Sequence, residues 1–438
     1  MKIRTPAELE ILKSVRMRSH HDAIAPLRRL KSHQEDLSQT LQRRSFGKEG
    51  VIYVHVPFCQ SGCTFCNLRK KPGIPPDWYG DLLVEQVMMY AGTRYVSDST
   101  FSAVYFGGGT PTLLSEQAIR KVLTAIRTNL PLSKNVEITF ETTVSALTED
   151  KASVLQEEGV NRLSIGVQTF SDKGRETLGR KGTGEHAANF VKRLLVKGFD
   201  NVGIDLIYNY PGQSEADLNE DLGIIAELNI AGFSFYSLIT REGTPIARLA
   251  EGEQVYPPQN TRERLFFDQI TDRCLGGAFS FLELTKLVRH ERDRYNYVRI
   301  RYSGGDTLPI GAGAGGRLGQ LSIMNPVDIH KYRDFVGLQE DVRGHVLDEG
   351  YDAIYKLIGQ VQFGALDLRS LDEDFPHREV LPRFCRQLVE DKLLTVDGEK
   401  YRLTNDGIYW GNNIAARLAE ILVQAVLQGP DNGYRISP

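Results

Sequence analysis

From Val51 onward, short runs of β-branched and aromatic residues alternate with longer amphipathic stretches, a texture that restricts the chain to repeating βα units around a parallel sheet. The strand-like runs are Ile52–Val56, Ala103–Phe106, Glu137–Phe140, Arg162–Val167, Asn201–Leu206 and Gly232–Ser237. Between them, Tyr79–Tyr90, Glu116–Thr128 and Glu185–Lys197 repeat apolar residues three or four apart, as helices that bury one face require. Six such repeats fit an α/β fold built on a partial (β/α)6 barrel better than a closed eight-stranded one.

The chain has 438 residues and is 41% apolar, which is more than one core can use, since single cores stop growing near roughly 250–300 residues. Four stretches are therefore expected. An N-terminal helical extension covers 1–48, read from Leu9, Ile11, Leu12 and Val15. The barrel covers 49–290, and a Gly-rich linking segment over 291–350 completes the site. The last stretch, 351–438, has helices followed by the runs Leu393–Thr395 and Tyr401–Thr404 around Asp397–Gly398, a pattern similar to a winged helix.

Charge narrows the partners. With 53 basic and 56 acidic residues the net charge is -3, so the excess positive charge that nucleic acid demands is missing, and the winged-helix-like stretch is not basic either. No apolar run approaches the roughly 20 residues that span a bilayer. The opening Met1–Arg4 lacks an apolar signal core, so no membrane association and a cytoplasmic location are expected.

Three of the five cysteines, Cys59, Cys63 and Cys66, crowd into one loop after the first strand, whereas Cys274 and Cys385 stand alone and read as buried small hydrophobes. Clustered thiols in a reducing compartment point to metal. Zinc completed by His55 is one reading, but His55 lies inside a strand, away from the cysteines. The spacing Cys-x3-Cys-x2-Cys favours a [4Fe-4S] cluster with one iron left open for a ligand. An open iron can take the amino and carboxylate groups of an amino-acid-like ligand.

In parallel barrels, ligands gather where strands end. Gly107, Gly108, Gly109 and Thr110 follow the second strand, Glu141 the third and Gln168 the fourth, and Asp205 lies near the end of the fifth. Further on, the segment from Gly311, Ala312 and Gly313 to Gly316 lets backbone approach a ligand closely, although a packing turn would use the same residues. His186, His290, His330 and Tyr295 are candidates for proton handling or ring binding, with ordinary structural roles as the alternative.

The runs from Tyr53 to Cys59, Tyr105 to Thr112, Ser164 to Phe170 and Asp205 to Ile207, with Pro211-Gly212-Gln213, resemble the oxygen-independent coproporphyrinogen III oxidase superfamily of radical S-adenosylmethionine (SAM) proteins. The resemblance runs from about Val51 to Ile414. It implies that Cys59, Cys63 and Cys66 ligate three irons, that the Gly108–Thr110 turn meets the SAM amino group, and that Gly107 also lies against the cofactor. It also implies SAM contacts for Tyr53, Phe65, Glu141, Gln168, Arg180 and Asp205, with Arg180 on the carboxylate and Gln168 and Asp205 on the ribose. Arginine is a natural carboxylate clamp and aspartate a natural acceptor for hydroxyls.

Asn67 and Leu68 stand where the oxidase has an additional cysteine, which argues against coproporphyrinogen decarboxylation. The segments Arg292–Tyr297, Gly311–Gly316, Met324-Asn325 and Arg402–Gly407 resemble the anaerobic haem-degrading anaerobilin synthase branch. That branch is similar to class C radical SAM methyltransferases, which use two SAM molecules and methylate an sp² carbon. The resemblance thus implies haem or another tetrapyrrole as substrate, a second SAM at Gly311, Ala312 and Gly313, and a flavodoxin- or ferredoxin-type reductant. A class C methyltransferase acting on another heteroaromatic metabolite and a haem chaperone are the alternatives. No residue is assigned as the catalytic base.

Overall fold

The computed structural model describes residues 15–60, 62–66, 70–250, 261–338, 341–376 and 378–428. Its largest sheet has thirteen strands, and the centre of that sheet is parallel. In chain order the parallel strands are β1 (Glu49–Val56), β2 (Thr100–Gly108), β3 (Leu132–Thr143), β4 (Arg162–Gln168), β5 (Val202–Tyr208), β6 (Gly232–Ser237) and β7 (Asp306–Ile310). In space they run β7-β1-β2-β3-β4-β5-β6, and among the described residues no pairing joins the two outer edges of the sheet, so the barrel is partial.

Strand alternation sorts the side chains. On β1, Ile52, Val54 and Val56 join Leu83 and Val87 of the helix Asp77–Tyr90 in the main core, while Val51 and Tyr53 face the opposite side with Ala103 and Tyr105 of β2. The helices Glu116–Asn129 and Gly184–Val196 cover the outer face, and each begins on a hydroxyl cap, Ser115 to Ala118 N and Thr183 to His186 N. Burying each Leu or Val of this layer contributes on the order of 1.5–3 kcal/mol.

The first six strands are those expected. β7 was not expected, and its sequence explains why: Asp306 opens it and Pro309 sits inside it, both signals against a central strand. The Pro309 carbonyl is nonetheless used, accepting from Tyr90 Oη at 3.0 Å and Asn325 Nδ2 at 3.3 Å.

Antiparallel strands extend both edges. Lys286–Arg289 and Phe279–Glu283 continue past β6, while Gly315–Leu318, Leu321–Met324, Arg343–Leu347 and Lys31–Asp36 continue past β7. Residues 291–350, read above as a linking segment, thus supply β7, three further strands and the helices Asn296–Tyr302 and Ile329–Gly337.

The N-terminal extension also departs from expectation. Its described part holds the short helices His20–Ala23 and Leu37–Leu41, yet Lys31–Asp36 is a strand. Its partner is Arg343–Leu347, in the register Lys31 with Leu347 and Asp36 with Arg343, and pairing so remote in sequence leaves no local signal in Lys-Ser-His-Gln-Glu-Asp. Leu9, Ile11 and Leu12 lie outside the described residues.

The C-terminal part has the helices Gly350–Gln362, Leu381–Glu390 and Gly411–Gln428 and a three-stranded antiparallel sheet whose hairpin turns at Asp397–Gly398. Ile354, Leu357, Phe384, Leu388, Ile414 and Leu418 form a second core there, and Ala23, Leu27 and Leu30 from the N-terminal segment are part of it. Cys274 lies in the main core and Cys385 in the second, and burial pushes their thiols up to about 11 and about 12.

Inside the parallel sheet sits an ion network. Asp293 accepts from Arg162 Nε and Nη2, each at 3.0 Å, from Lys286 Nζ at 3.2 Å and from Tyr295 N at 3.0 Å, and all three charged side chains are buried. Burial alone would raise the Asp293 carboxyl, but Arg162 and then Lys286 outweigh it and hold the group well below the usual carboxylate range. Removing one member of a buried network strands the others. Asp293→Asn should therefore lower unfolding stability by about 3–5 kcal/mol, measured by chemical denaturation; an unchanged midpoint would mean that the network contributes no net stability.

Candidate active site

The cysteine loop leaves β1 at Pro57 and is fastened by Thr64. Thr64 N donates to Leu178 O at 3.3 Å, its hydroxyl donates to Thr177 O at 2.7 Å, and its carbonyl accepts from Ile246 N at 3.1 Å. Phe65 packs against Leu178, Ile207, Tyr210, Leu238 and Ile246. Cys59 is buried and Cys63 and Cys66 are half-buried, with none of them in a disulfide.

Among the described residues, no group of three His, Cys, Asp or Glu side chains stands at metal-holding spacing. Ser61, Asn67 and Leu68 of the same loop lie outside the described residues. The chemistry of the donor set nonetheless fits a three-thiolate cluster. Thr110 Oγ1 donates to Cys59 Sγ at 3.5 Å and the Arg180 guanidinium donates to Cys63 Sγ at 3.2 Å. A guanidinium and a hydroxyl within reach of sulfur suit the anionic thiolate ligands that an iron–sulfur cluster takes.

Two glycine-rich loops close on the end of β1. Gly109 N donates to Val56 O at 2.8 Å, and a Cβ at Gly109 would stand 2.2 Å from Phe58 O. From the other side, a Cβ at Gly311 would stand 2.2 Å from His55 O. Neither position tolerates a side chain. Gly311 N donates to Gln86 Oε1 at 2.8 Å, Ala312 N to Tyr79 Oη at 3.1 Å and Gly313 N to Pro326 O at 3.0 Å. Between the loops lies a cavity of about 890 Å³, walled by His55, Gly108 and Gly109 on one side and Ala312, Gly313 and Val327 on the other. The Gly311–Gly313 segment is therefore a close-packed turn and a cavity wall at once.

The polar candidates gather at the strand ends. Glu141 accepts from Tyr105 Oη at 2.7 Å and from Gly108 N at 3.1 Å. Burial pushes its carboxyl up to about 7, the Tyr105 hydrogen bond works against this, and Asp205 adds to it. Burial likewise raises the Asp205 carboxyl, against the pull of Lys286. Gln168 has φ +76°, where the β4–β5 register shifts between Gly166 and Gln168, and a bulge of this kind re-aims a side chain. Arg180 also donates to Gly166 O, so one guanidinium joins the cysteine loop to the end of β4. Tyr53 Oη lies 2.8 Å from His55 Nδ1, and burial pushes the His55 imidazole down to about 4, leaving it neutral.

His186, His290 and His330 are exposed and are not among the residues that wall the cavity. Tyr295 faces the lumen instead, its ring 4.2 Å from the Arg162 guanidinium and 6.3 Å from the Tyr105 ring. Sequence reasoning missed Tyr79 and Gln86, which fasten the Gly311–Gly313 turn. The available signal was the spacing of Tyr79, Gln86 and Tyr90, which puts polar groups on the buried face of one helix.

The comparisons with known proteins agree with this fold. Residues 53–224 match the model of the Radical SAM superfamily, so the chain carries a radical SAM domain. It is 29% identical to the anaerobilin synthase of Escherichia coli O157:H7, over 91% of this chain and 90% of the relative. It is 28% identical to the heme chaperone HemW of Lactococcus lactis subsp. lactis (strain IL1403), over 84% of this chain and 96% of the relative. In fold it matches the radical SAM coproporphyrinogen III oxidase (HemN) of Escherichia coli with a TM-score of 0.74 at 22% identity, covering 88% of this chain and 93% of that one. Among the described residues no helix is long and apolar enough to cross a membrane.

The raised Glu141 carboxyl sets a pH dependence. Because the folded protein holds this proton more tightly than the unfolded chain does, stability falls as pH rises from the ordinary carboxylate range through about 7. Glutamine at the same place does not titrate. The stability difference between the protein and its Glu141→Gln variant should therefore shift against the unsubstituted protein between pH 5 and pH 8, as measured by denaturation; a constant difference would place the Glu141 carboxyl in its usual range.

Proposed function

We propose that this chain is a class C radical SAM C-methyltransferase using two SAM molecules, that its substrate is haem or a related tetrapyrrole, and that methyl transfer opens the ring anaerobically and frees the iron. The observation that carries the reading is the cavity of about 890 Å³ between the Gly108–Gly109 and Ala312–Gly313 walls. Its size suits a small-molecule ligand, and its second wall lies outside the residues matched to the radical SAM family model. The near full-length likeness to an anaerobilin synthase supports the tetrapyrrole.

In this reading Cys59, Cys63 and Cys66 hold three irons of a [4Fe-4S] cluster, which when bound supplies the low-potential electron that cleaves SAM. Around it the chain's own groups position ligand. The Gly107–Thr110 backbone meets the amino end of SAM, the Arg180 guanidinium attracts its carboxylate, and Gln168 and Asp205 offer partners to ribose hydroxyls. Glu141 fixes Gly108 by accepting its N–H. Electrons come from a flavodoxin- or ferredoxin-type protein in the cytoplasm.

Anaerobic incubation with SAM, a reductant and haem, followed by mass analysis, tests the proposal. The expected products are S-adenosylhomocysteine, 5′-deoxyadenosine and a methylated, ring-opened tetrapyrrole. Haem bound and released unchanged, with no SAM consumed, would instead favour the carrier reading that the heme chaperone relatives support. Cys63→Ala should remove the cluster, taking iron and sulfide from about four each per chain to near zero.

Gly313 separates the two SAM roles. It has φ +76°, and a Cβ there would stand in ordinary van der Waals contact with the cavity walls, 3.8 Å from Val327 Cγ2 and 3.9 Å from His55 Cδ2. Gly313→Val should cost about 1–2 kcal/mol in backbone strain and project a side chain into the cavity. Reductive SAM cleavage is expected to persist while methylated product is lost; retention of full methyl transfer would remove the second SAM from this wall.

A further inference from the structure

Most guanidinium groups near the lumen have an acidic partner. Arg162 pairs with Asp293, Arg16 and Arg18 pair with Glu263, and Arg317 pairs with Asp352. Arg301, on the helix Asn296–Tyr302, does not follow this pattern. Its side chain is half-buried, it donates to Tyr297 Oη at 3.5 Å, and among the described residues no carboxylate lies within ion-pair distance. The phenols of Tyr297, Tyr355, Tyr302 and Tyr295 act on its charge, Tyr297 foremost, with its ring centroid 5.2 Å from the guanidinium. A guanidinium withdrawn from water without a counter-charge is costly, unless a ligand supplies the charge.

Two imidazoles of the N-terminal segment, His20 and His21, also feel its charge. His20 and His21 lie with ring centroids 4.0 Å apart, and both side chains are solvent-accessible. The surrounding protein, then His21, then Arg301 lower the His20 imidazole, and the surrounding protein and then Arg301 lower His21 as well. Both rings are therefore neutral, and the group carries the single positive charge of Arg301. One such charge matches one carboxylate. Aromatic faces flank it: Tyr297 stacks on Tyr105 with centroids 4.5 Å apart, and Tyr302 stacks on Tyr355 at 5.5 Å.

We propose that Arg301, with His20 and His21 beside it, anchors a carboxylate of the substrate while the neighbouring tyrosines face its planar body. This deepens the tetrapyrrole reading above and rests on it. Arginine suits the task because its planar fork can hold a carboxylate through two hydrogen bonds, and the tyrosine rings offer flat apolar surface. The N-terminal segment that brings the imidazoles is held in place upstream, where Arg16 donates to Tyr409 O at 2.8 Å and Met17 N to Asn413 Oδ1 at 2.9 Å. The anchor is thus assembled from residues about 280 positions apart in sequence.

The test is an anaerobic absorbance titration with haem and with haem dimethyl ester, whose carboxylates are masked, using the intact protein and its Arg301→Leu and Arg301→Lys variants. The intact protein should prefer the free acid by about ten- to a hundredfold, the range of a hydrogen bond to a charged group. Arg301→Leu should bind both forms alike, and Arg301→Lys should keep part of the preference. If the intact protein binds acid and ester equally, or Arg301→Leu keeps the full preference, the anchor is overturned while the tetrapyrrole reading stands. If the intact protein binds neither form, the tetrapyrrole reading itself falls. Should the leucine variant fail to fold, the acid-against-ester ratio of the intact protein and the lysine variant still decides.

Discussion

Close backbone contact at the end of β1 is the constraint on which the site depends. Gly109 reaches it from the β2 turn and Gly311 from the turn after β7, each so near a β1 or following carbonyl that no side chain fits. Because both contacts press on residues 55–58, they fix where the cysteine loop departs and how wide the space beside His55 can be. Fixed walls matter for chemistry that must keep reactive groups in register, since positioning errors of an ångström are costly. Tyr79 and Gln86 support the second turn with hydrogen bonds from a helix of the outer layer, so the packing of that layer reaches the cavity.

Much of this was legible in the sequence, and the part that was not has a common cause. The six strands and three helices announced themselves through local periodicity, as did the cysteine spacing and the glycine turns, because each signal lies within about a dozen neighbouring residues. What escaped needed partners far away. β7 carries a proline that reads as a breaker until Tyr90 and Asn325 are seen to use its carbonyl. Lys31–Asp36 looks like a solvated charged stretch until Arg343–Leu347 is beside it. Arg301, His20 and His21 lack any motif, since their meeting is a product of the tertiary fold alone.

The lumen also shows how the fold handles charge. Arg162, Asp293 and Lys286 satisfy one another, so their cost is met internally and the group can serve as a fixed floor. Glu141 and Glu283 respond differently, burial pushing each carboxyl up to about 7, which lets them shed charge rather than pair it. The surroundings are thus low in net negative charge, a setting in which an approaching anion meets attraction from Arg301 with little opposing field.

The outermost strand, Lys31–Asp36, has a consequence for how the protein comes into being. Among the described residues its only neighbour in the sheet is Arg343–Leu347, and Ala23, Leu27 and Leu30 bury themselves among residues 354–423. A ribosome delivers the first segment long before either partner exists, on the order of tens of seconds at roughly 5–20 residues per second. Throughout that interval the nascent N-terminal segment must remain unpaired, with its leucines in water, while the barrel forms behind it. Residues 23–36 are thus made early and placed late, so their docking marks that synthesis has passed the second core.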